Sequence, residues 1–254
     1  MNIVIVGLGA AGVSAAEEAR RTAPAARIIA ISDEPYPAYF RPQLSHRLAT
    51  GADPSSLLIR KREWYEGNRI ELILASKVSE VFPEEMRVQL SGGESVPYDA
   101  CIFSMGSRSH LPEVKGRELG GVFTLRNLDD AEQIRAALAR AAYPVVVGGG
   151  PLGLEAAWAI ASAGRNVTVL ERGDRLLKRH LDEEGSAFLG GLLEKAGVNV
   201  VYGAETREIA GKTTVEGVML NDSRTLDADF VLFSVGVRPN TAIAEAAGLR
   251  VNNG

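Results

Sequence analysis

The sequence predicts an α/β protein built from two copies of one unit, each a mainly parallel sheet with an inserted antiparallel meander. Two observations predict it. Ile3-Val4-Ile5-Val6-Gly7-Leu8-Gly9-Ala10-Ala11-Gly12 is matched by Val145-Val146-Val147-Gly148-Gly149-Gly150-Pro151-Leu152-Gly153, each an apolar run, a G-x-G-x-x-G turn and an Ala-rich helical stretch. Further on, Tyr98-Asp99-Ala100-Cys101-Ile102-Phe103-Ser104-Met105-Gly106 is matched by Asp227-Ala228-Asp229-Phe230-Val231-Leu232-Phe233-Ser234-Val235-Gly236. Self-similarity of this kind fixes architecture before any single element does. The copies lie 141 residues apart at the first landmark and 130 at the second, so the first copy holds about eleven extra residues. The Pro- and Tyr-rich stretch from Pro35 to Thr50, which has no counterpart in the second copy, is the natural place for them.

Each copy reads in the same order. A buried strand feeds a glycine turn and a helix, Ala10 to Arg21 in one copy and Pro151 to Ala163 in the other, and a second strand follows at Arg27–Ile31 or Asn166–Leu170. Segments with alternating polarity, Lys77–Phe82 and Arg87–Leu90, then Val198–Tyr202 and Val215–Leu220, suit the meanders, with Gly92-Gly93 and Gly211 at turns. A linking helix is expected from Ala131 to Ala142, capped by Asn127 or Asp129 and stopped by Pro144, and another from about Asp182 to Ala196 before Gly197. The expected division is 1–109, 110–237 and a return segment, 238–254.

Composition narrows the function. With 254 residues, 46% hydrophobic and 24% charged, the chain has the make-up of an ordinary globular protein. A net charge of −4 gives no basic field for nucleic acid, so no nucleic-acid partner is expected. No apolar stretch reaches the roughly 20 residues that span a bilayer, and Met1 is followed directly by the first strand, so no membrane association and a cytoplasmic location are expected. Cys101 is the one cysteine, which rules out an internal disulfide, and His46, His110 and His180 lack metal-ligand spacing, so no metal site is expected.

The glycine turns carry the chemistry. The first glycine permits the tight turn, the second lets a pyrophosphate approach the backbone, and the third lets helix pack on strand. The helix N-terminus then offers unpaired N–H groups and a positive dipole end to the phosphates. An acidic residue ending the next strand can accept hydrogen bonds from a ribose. Glu34 lies 22 residues after Gly12, with Asp33 as the close alternative, and Glu171 lies 18 after Gly153. A carboxylate at Glu171 accepts from a 2′-hydroxyl and repels a 2′-phosphate, which favours NADH over NADPH. One such turn is often only a turn; two, each between strand and helix and each followed by a carboxylate, define a pair of Rossmann-like dinucleotide-binding domains.

These residues resemble the pyridine nucleotide-disulfide oxidoreductase superfamily, the branch of NADH-dependent rubredoxin and ferredoxin reductases and the flavin-binding region of NADH nitrite reductases in particular. The similarity is carried by Asp33-Glu34-Pro35-Tyr36-Pro37-Ala38-Tyr39-Phe40-Arg41-Pro42-Gln43-Leu44-Ser45, by Ser104-Met105-Gly106-Ser107, by Gly121-Val122-Phe123-Thr124-Leu125-Arg126-Asn127 with Asp130-Ala131, and by Gly236-Val237-Arg238-Pro239-Asn240. The resemblance implies that the first copy binds FAD and the second NAD(H). It implies that Gly7, Gly9, Ala10, Ala11 and Gly12 cradle the FAD pyrophosphate and that Glu34 or Asp33 holds its ribose. Arg41 and Pro42 would lie along the flavin, Val78 would meet the adenine through its backbone, and Ser104, Met105, Gly106 and Arg108 would line the cofactor. NADH would be held by Gly148, Gly150, Pro151, Leu152, Gly153 and Glu171, with Val235 and Gly236 near the nicotinamide. On composition alone, Val78 and Val235 read equally as core packing.

Glu155 and His46 are the candidate catalytic residues. In the family this glutamate lies near the flavin–nicotinamide junction and often pairs with a lysine, which His46 replaces here; a Glu155–His46 pair would change charge near neutral pH. The other reading of His46 is an exposed loop residue. Hydride transfer needs little acid–base chemistry, because the cofactors carry it. Tyr39 to His46 contains no cysteine, unlike the disulfide-reducing members, so electrons are expected to pass to a small redox protein or an attached redox module. A homodimer is compatible with this organisation. The alternatives are a non-catalytic dinucleotide-binding module and an NADH oxidase using oxygen. The family continues beyond the point where this sequence ends, so the FAD domain is expected to be incomplete at its C-terminus and its FAD site weakened.

Overall fold

The computed structural model describes residues 1–51 and 53–252. The last two positions of the return segment, Asn253 and Gly254, therefore lie outside the described residues. The helices, in chain order, are α1 (Ala10–Thr22), α2 (Leu44–Thr50), α3 (Arg62–Gly67), α4 (Leu128–Leu138), α5 (Pro151–Ser162), α6 (Glu183–Lys195) and α7 (Ala242–Ala246). The chain divides into two compact units. The first comprises Met1–Phe40, Asp53–Arg108 and Arg238–Gly254; the second comprises Arg41–Ala52 and Ser109–Val237.

In the first unit, four parallel strands run in the order Ile70–Ile73, Arg27–Ile31, Asn2–Val6, Ala100–Phe103. Both faces of this sheet are covered, which is why Ile3 to Val6 and Ile28 to Ile31 are continuously apolar rather than alternating. Ile3, Ile5, Ile28 and Ala30 face one way and pack with Val13, Ala16 and Ala19 of α1. Val4, Val6, Ile29 and Ile31 face the other way, onto Val78, Val81, Val88, Leu90 and Val96 of the antiparallel meander. Each such side chain removed from water contributes about 1.5–3 kcal/mol.

The second unit repeats the plan. Its parallel order is Val198–Tyr202, Val167–Glu171, Pro144–Val147, Phe230–Phe233, with Val122–Thr124 added beyond the last. Val145, Val147, Leu170, Val231 and Phe233 pack with Ile209, Val215, Val218 and Leu220 of its own meander.

Three elements differ from the sequence expectation. The linking helix α4 begins at Leu128 and ends at Leu138, because Asn127 accepts from the Asp130 N–H while Asp130 accepts from the Asn127 N–H, a reciprocal cap that fixes the first turn. Pro144 opens a strand rather than merely ending a helix. The extra segment of the first copy is divided, with Pro35 to Phe40 in the first unit and the part from Arg41 on in the second: α2 lies against α5 and α4, with Leu44, Ser45 and Leu48 buried. The breaks between units fall after Arg108 and Val237.

The third glycine of each turn is required by this packing. A Cβ at Gly12 would sit 2.2 Å from the Gly7 carbonyl oxygen, and one at Gly153 would sit 2.0 Å from that of Gly148. Gly153→Ala is therefore expected to lower stability by about 3 kcal/mol through forced separation of helix from strand. Urea unfolding of the variant measures this, and a loss below about 1 kcal/mol would contradict the packing described.

Candidate dinucleotide sites

Each unit presents the same construction at the carboxyl end of its first strand. The first glycine is left-handed, with φ +97° at Gly7 and +115° at Gly148, and each lies against the backbone of the strand that closes the copy. A Cβ at Gly7 would meet the Ser104 carbonyl oxygen at 2.4 Å, and one at Gly148 would meet that of Ser234 at 2.3 Å. The hydrogen bonds around the turns also match. Gly7 N–H donates to Ile31 O at 2.9 Å, and Gly148 N–H donates to Leu170 O at 2.8 Å.

The middle glycines differ. Gly9 and Gly150 have φ of −99° and −79°, which any residue adopts, and a Cβ built on either meets nothing within 4 Å. Nothing in the chain itself demands glycine there. The open space is what a ligand approaching the backbone would need.

The helix starts point the same way. Gly9 caps α1 and Gly150 caps α5, and neither helix has a side-chain cap or an acidic residue in its first turn. By contrast α4 and α6 are capped by the Asn127 and Asp182 side chains and carry Asp129, Asp130, Glu183 and Glu184 in their first turns. The first N–H groups of α1 and α5 are thus left without a side-chain cap and available to an anion, with no acidic residue in either first turn. The residues present fit a dinucleotide pyrophosphate at each turn.

A cavity of about 570 Å³ opens in the first unit, lined by Gly7, Asp33, Lys77, Val78, Met105, Arg108, Asn240 and Ile243 among others. Asp33 is the carboxylate in its wall. Glu34 instead accepts a hydrogen bond from the Tyr39 hydroxyl, and its own N–H donates to Ser32 Oγ at 3.1 Å. Ser104 acts beneath the turn: its hydroxyl reaches Gly7 O at 2.7 Å and Val6 O at 3.3 Å. Ala10, Ala11 and Gly12 form the first turn of α1, and Gly106 is the left-handed residue after Met105.

A cavity of about 640 Å³ opens in the second unit, lined by Gly148, Gly149, Gly150, Pro151, Leu152, Glu171, Arg172, Val235 and Gly236, with His110 and Thr206 also in its wall. Val235 is 38% exposed, so it is a cavity residue rather than core packing. Gly153 lies buried behind the turn. The Glu171 carboxylate takes the Gly149 N–H on one oxygen at 2.8 Å and the Gly173 N–H on the other at 2.6 Å. Two acceptor positions remain for a ribose, since a carboxylate offers about four. Burial, followed by the Glu171 charge, raises the pKa of the Tyr202 phenol.

Arg41 and Pro42, expected along the cofactor of the first copy, line a smaller cavity of about 220 Å³ in the second unit with Ser45, Arg126, Leu152 and Phe233. Arg41 Nη1 donates to the Arg126 carbonyl at 3.0 Å. The expected Glu155–His46 pair is not formed. Glu155 Oε2 accepts from Ser45 Oγ at 2.8 Å, and Ser45 is only 2% exposed. Neighbouring residues of a helix point about 100° apart, so Ser45 and His46 meet different parts of α5. His46 is exposed on α2, beside Arg47 and Trp158 at a separate cleft. Ser45, Arg126, His110 and Asn240 are cavity residues that the sequence did not mark as site residues; the first, second and fourth sat inside quoted motifs, and His110 carried no signal.

Among the described residues no group of three or more His, Cys, Asp or Glu could hold a metal ion, and no helix is long and apolar enough to cross a membrane. Cys101 is half-buried in its strand, and burial pushes its thiol up to about 11.

A two-unit α/β protein with a dinucleotide cradle in each unit is the class these features define. The chain belongs to the pyridine nucleotide-disulphide oxidoreductase family, whose profile matches residues 1–254. Members of this family are oxidoreductases that use FAD and a pyridine nucleotide. It is 34% identical over 252 residues to the biphenyl dioxygenase system ferredoxin–NAD(+) reductase component of Paraburkholderia xenovorans (strain LB400), covering 99% of this chain and 62% of that protein. It is 34% identical to the nitrite reductase [NAD(P)H] of Bacillus subtilis (strain 168), covering 99% of this chain and 31% of that one. Among solved structures, the ferredoxin reductase for the CYP199A2 system of Rhodopseudomonas palustris superposes with a TM-score of 0.94 at 34% identity, covering 100% of this chain and 63% of the other. The chain thus spans less than two thirds of the length of these relatives.

Two outcomes follow from the geometry. Gly9→Val and Gly150→Val are expected to leave urea unfolding nearly unchanged while each weakens dinucleotide binding in its own unit by more than about tenfold, because the side chain would fill the open space beside the turn. Equilibrium titrations check this; equal binding by variant and wild type would contradict it. Cys101 in the native chain at pH 8 is expected to alkylate about a hundredfold more slowly than in urea, since its thiolate fraction is that much smaller; mass spectrometry over time reads the ratio.

Proposed function

We propose that this chain is the nucleotide-handling region of an FAD-dependent NADH oxidoreductase that passes electrons to a small iron–sulfur or rubredoxin-type protein, or to an attached redox module. The observation that carries this reading is the pair of helices that open at glycine turns without side-chain caps, one turn bordering a cavity through Gly7 and the other through Gly148, Gly149 and Gly150, within one chain.

In the first unit, the Gly7-to-Gly12 turn and the α1 N-terminus hold the FAD pyrophosphate, Asp33 at the cavity wall and Glu34 behind it serve the ribose end, and Val78 borders the adenine. In the second, the Gly148-to-Gly153 turn holds the NADH pyrophosphate, Glu171 accepts from the ribose hydroxyls, and Val235 and Gly236 border the nicotinamide end. When bound, the two cofactors supply the redox chemistry, hydride transfer from nicotinamide to flavin followed by electron delivery to the acceptor. The protein's part is to bind, orient and exclude water. The names of the relatives support a ferredoxin-type acceptor. The stretch Tyr39 to His46 offers no thiol, and Cys101 is held as a thiol, which disfavours disulfide reduction as the outlet.

Glu171 underlies the preference for NADH. Its carboxylate, already fixed by two backbone N–H groups, would face a 2′-phosphate with like charge. Glu171→Ala is expected to weaken NADH by about tenfold, in line with loss of charge-assisted hydrogen bonds, and to narrow the gap to NADPH. Absorbance spectra of the FAD-loaded chain, recorded during titration with NADH and with NADPH, test the whole reading. Bleaching of the flavin bands at lower NADH than NADPH supports it. A flavin-loaded chain that NADH fails to bleach would leave a non-catalytic binding module in its place.

A further inference from the structure

Each copy ends on a left-handed glycine, and the residue four positions later lies in a cavity wall. His110 follows Gly106 in this way and Asn240 follows Gly236. Their backbones do the same work in the two units: Asn240 N–H donates to Gly106 O at 2.9 Å, and His110 N–H donates to Gly236 O at 2.9 Å. That bond belongs to the shared architecture.

The Asn240 side chain adds to it. Its Nδ2 donates to the Met105 carbonyl at 2.9 Å, and its Oδ1 accepts from Arg108 Nη1 at 3.3 Å. The two partners determine the amide orientation, since the flipped amide would set oxygen against a carbonyl and NH2 against a guanidinium. Met105, Arg108 and Asn240 all line the 570 Å³ cavity. Met105 is also where the closing strand abuts the glycine turn, its Cα 2.8 Å from the place a Gly7 Cβ would take. Arg108 uses one of its five donors on Asn240, and no carboxylate among the described residues pairs with it.

We infer that Asn240 is a positioning residue for the dinucleotide site of the first unit: its amide fixes the Met105 carbonyl beside the glycine turn and holds the Arg108 guanidinium in the cavity wall, raising the affinity for FAD. This rests on the assignment of FAD to the first unit proposed above.

The test titrates the 254-residue chain with FAD and, separately, with NADH, in wild type, Asn240→Ala, Asn240→Asp, Arg108→Ala and the Arg108→Ala/Asn240→Ala double variant. Asn240→Ala is expected to weaken FAD about tenfold and to leave NADH within about twofold, the size expected for two lost hydrogen bonds. Asn240→Asp keeps an acceptor for Arg108 but neutralises its charge and sets a carboxylate against the Met105 carbonyl, and is expected to weaken FAD at least as much as Asn240→Ala. The double variant is expected to lose less than the product of the single losses, a coupling in FAD affinity that a merely structural role would not produce. A folded Asn240→Ala chain that binds FAD within twofold of wild type, or single losses that multiply, would overturn the inference. If Asn240→Ala does not fold, Arg108→Ala decides, because Arg108 is exposed: FAD affinity within twofold of wild type overturns it. Failure of the wild type itself to bind FAD is a separate result that removes the assignment of FAD and the inference with it.

Discussion

The close approach of helix to strand at the third glycine of each turn is the constraint on which both sites depend. Gly12 and Gly153 leave no room for a methyl group against the carbonyls of Gly7 and Gly148. That contact brings α1 and α5 down onto their sheets with their N-termini at the strand ends. The first glycines are pinned from the other side by the backbone at Ser104 and Ser234. With both ends of the turn fixed by the chain, the middle of it is free to be shaped for a ligand, and Gly9 and Gly150 stand over open space.

Electrostatics separates these two helices from the other long ones, α4 and α6. α4 and α6 satisfy their first N–H groups with Asn127 and Asp182 and add acidic residues to their first turns, the ordinary way of stabilising a helix start. α1 and α5 forgo both. A helix start without such a cap forgoes about 1 kcal/mol of local stabilisation, and a bound pyrophosphate would restore it. The pattern occurs twice, at equivalent places in a repeated fold, so a chance loss of caps is a poor explanation.

Much of this was legible in the sequence because it follows from backbone chemistry. Glycine spacing, the apolar runs of Ile3 to Val6 and Val145 to Val147, and the serine-to-glycine closures all constrain the main chain, and the strands and long helices fall where those patterns put them. What was not legible depends on side-chain direction and on packing across distant segments. The segment around α2 joins the second unit because of one apolar face seven residues long, which its Pro- and Tyr-rich surroundings obscured. Glu155 pairs with Ser45 rather than His46 for the same reason, since adjacent residues of a helix project about 100° apart. Asp33, not Glu34, lines the first cavity, because the Glu34 carboxylate is held by a tyrosine five residues on. The bonds from Asn240 span more than 130 residues, and no local pattern announces them.

The central claim is that one chain holds two different dinucleotides in two separate cradles. Calorimetric titration with FAD at saturating NAD+, and with NAD+ at saturating FAD, tests it most directly, because oxidised nicotinamide does not react with oxidised flavin. One FAD and one NAD+ per chain, each binding undiminished by the other, is the expected result. Competition between the two for a single site would contradict it.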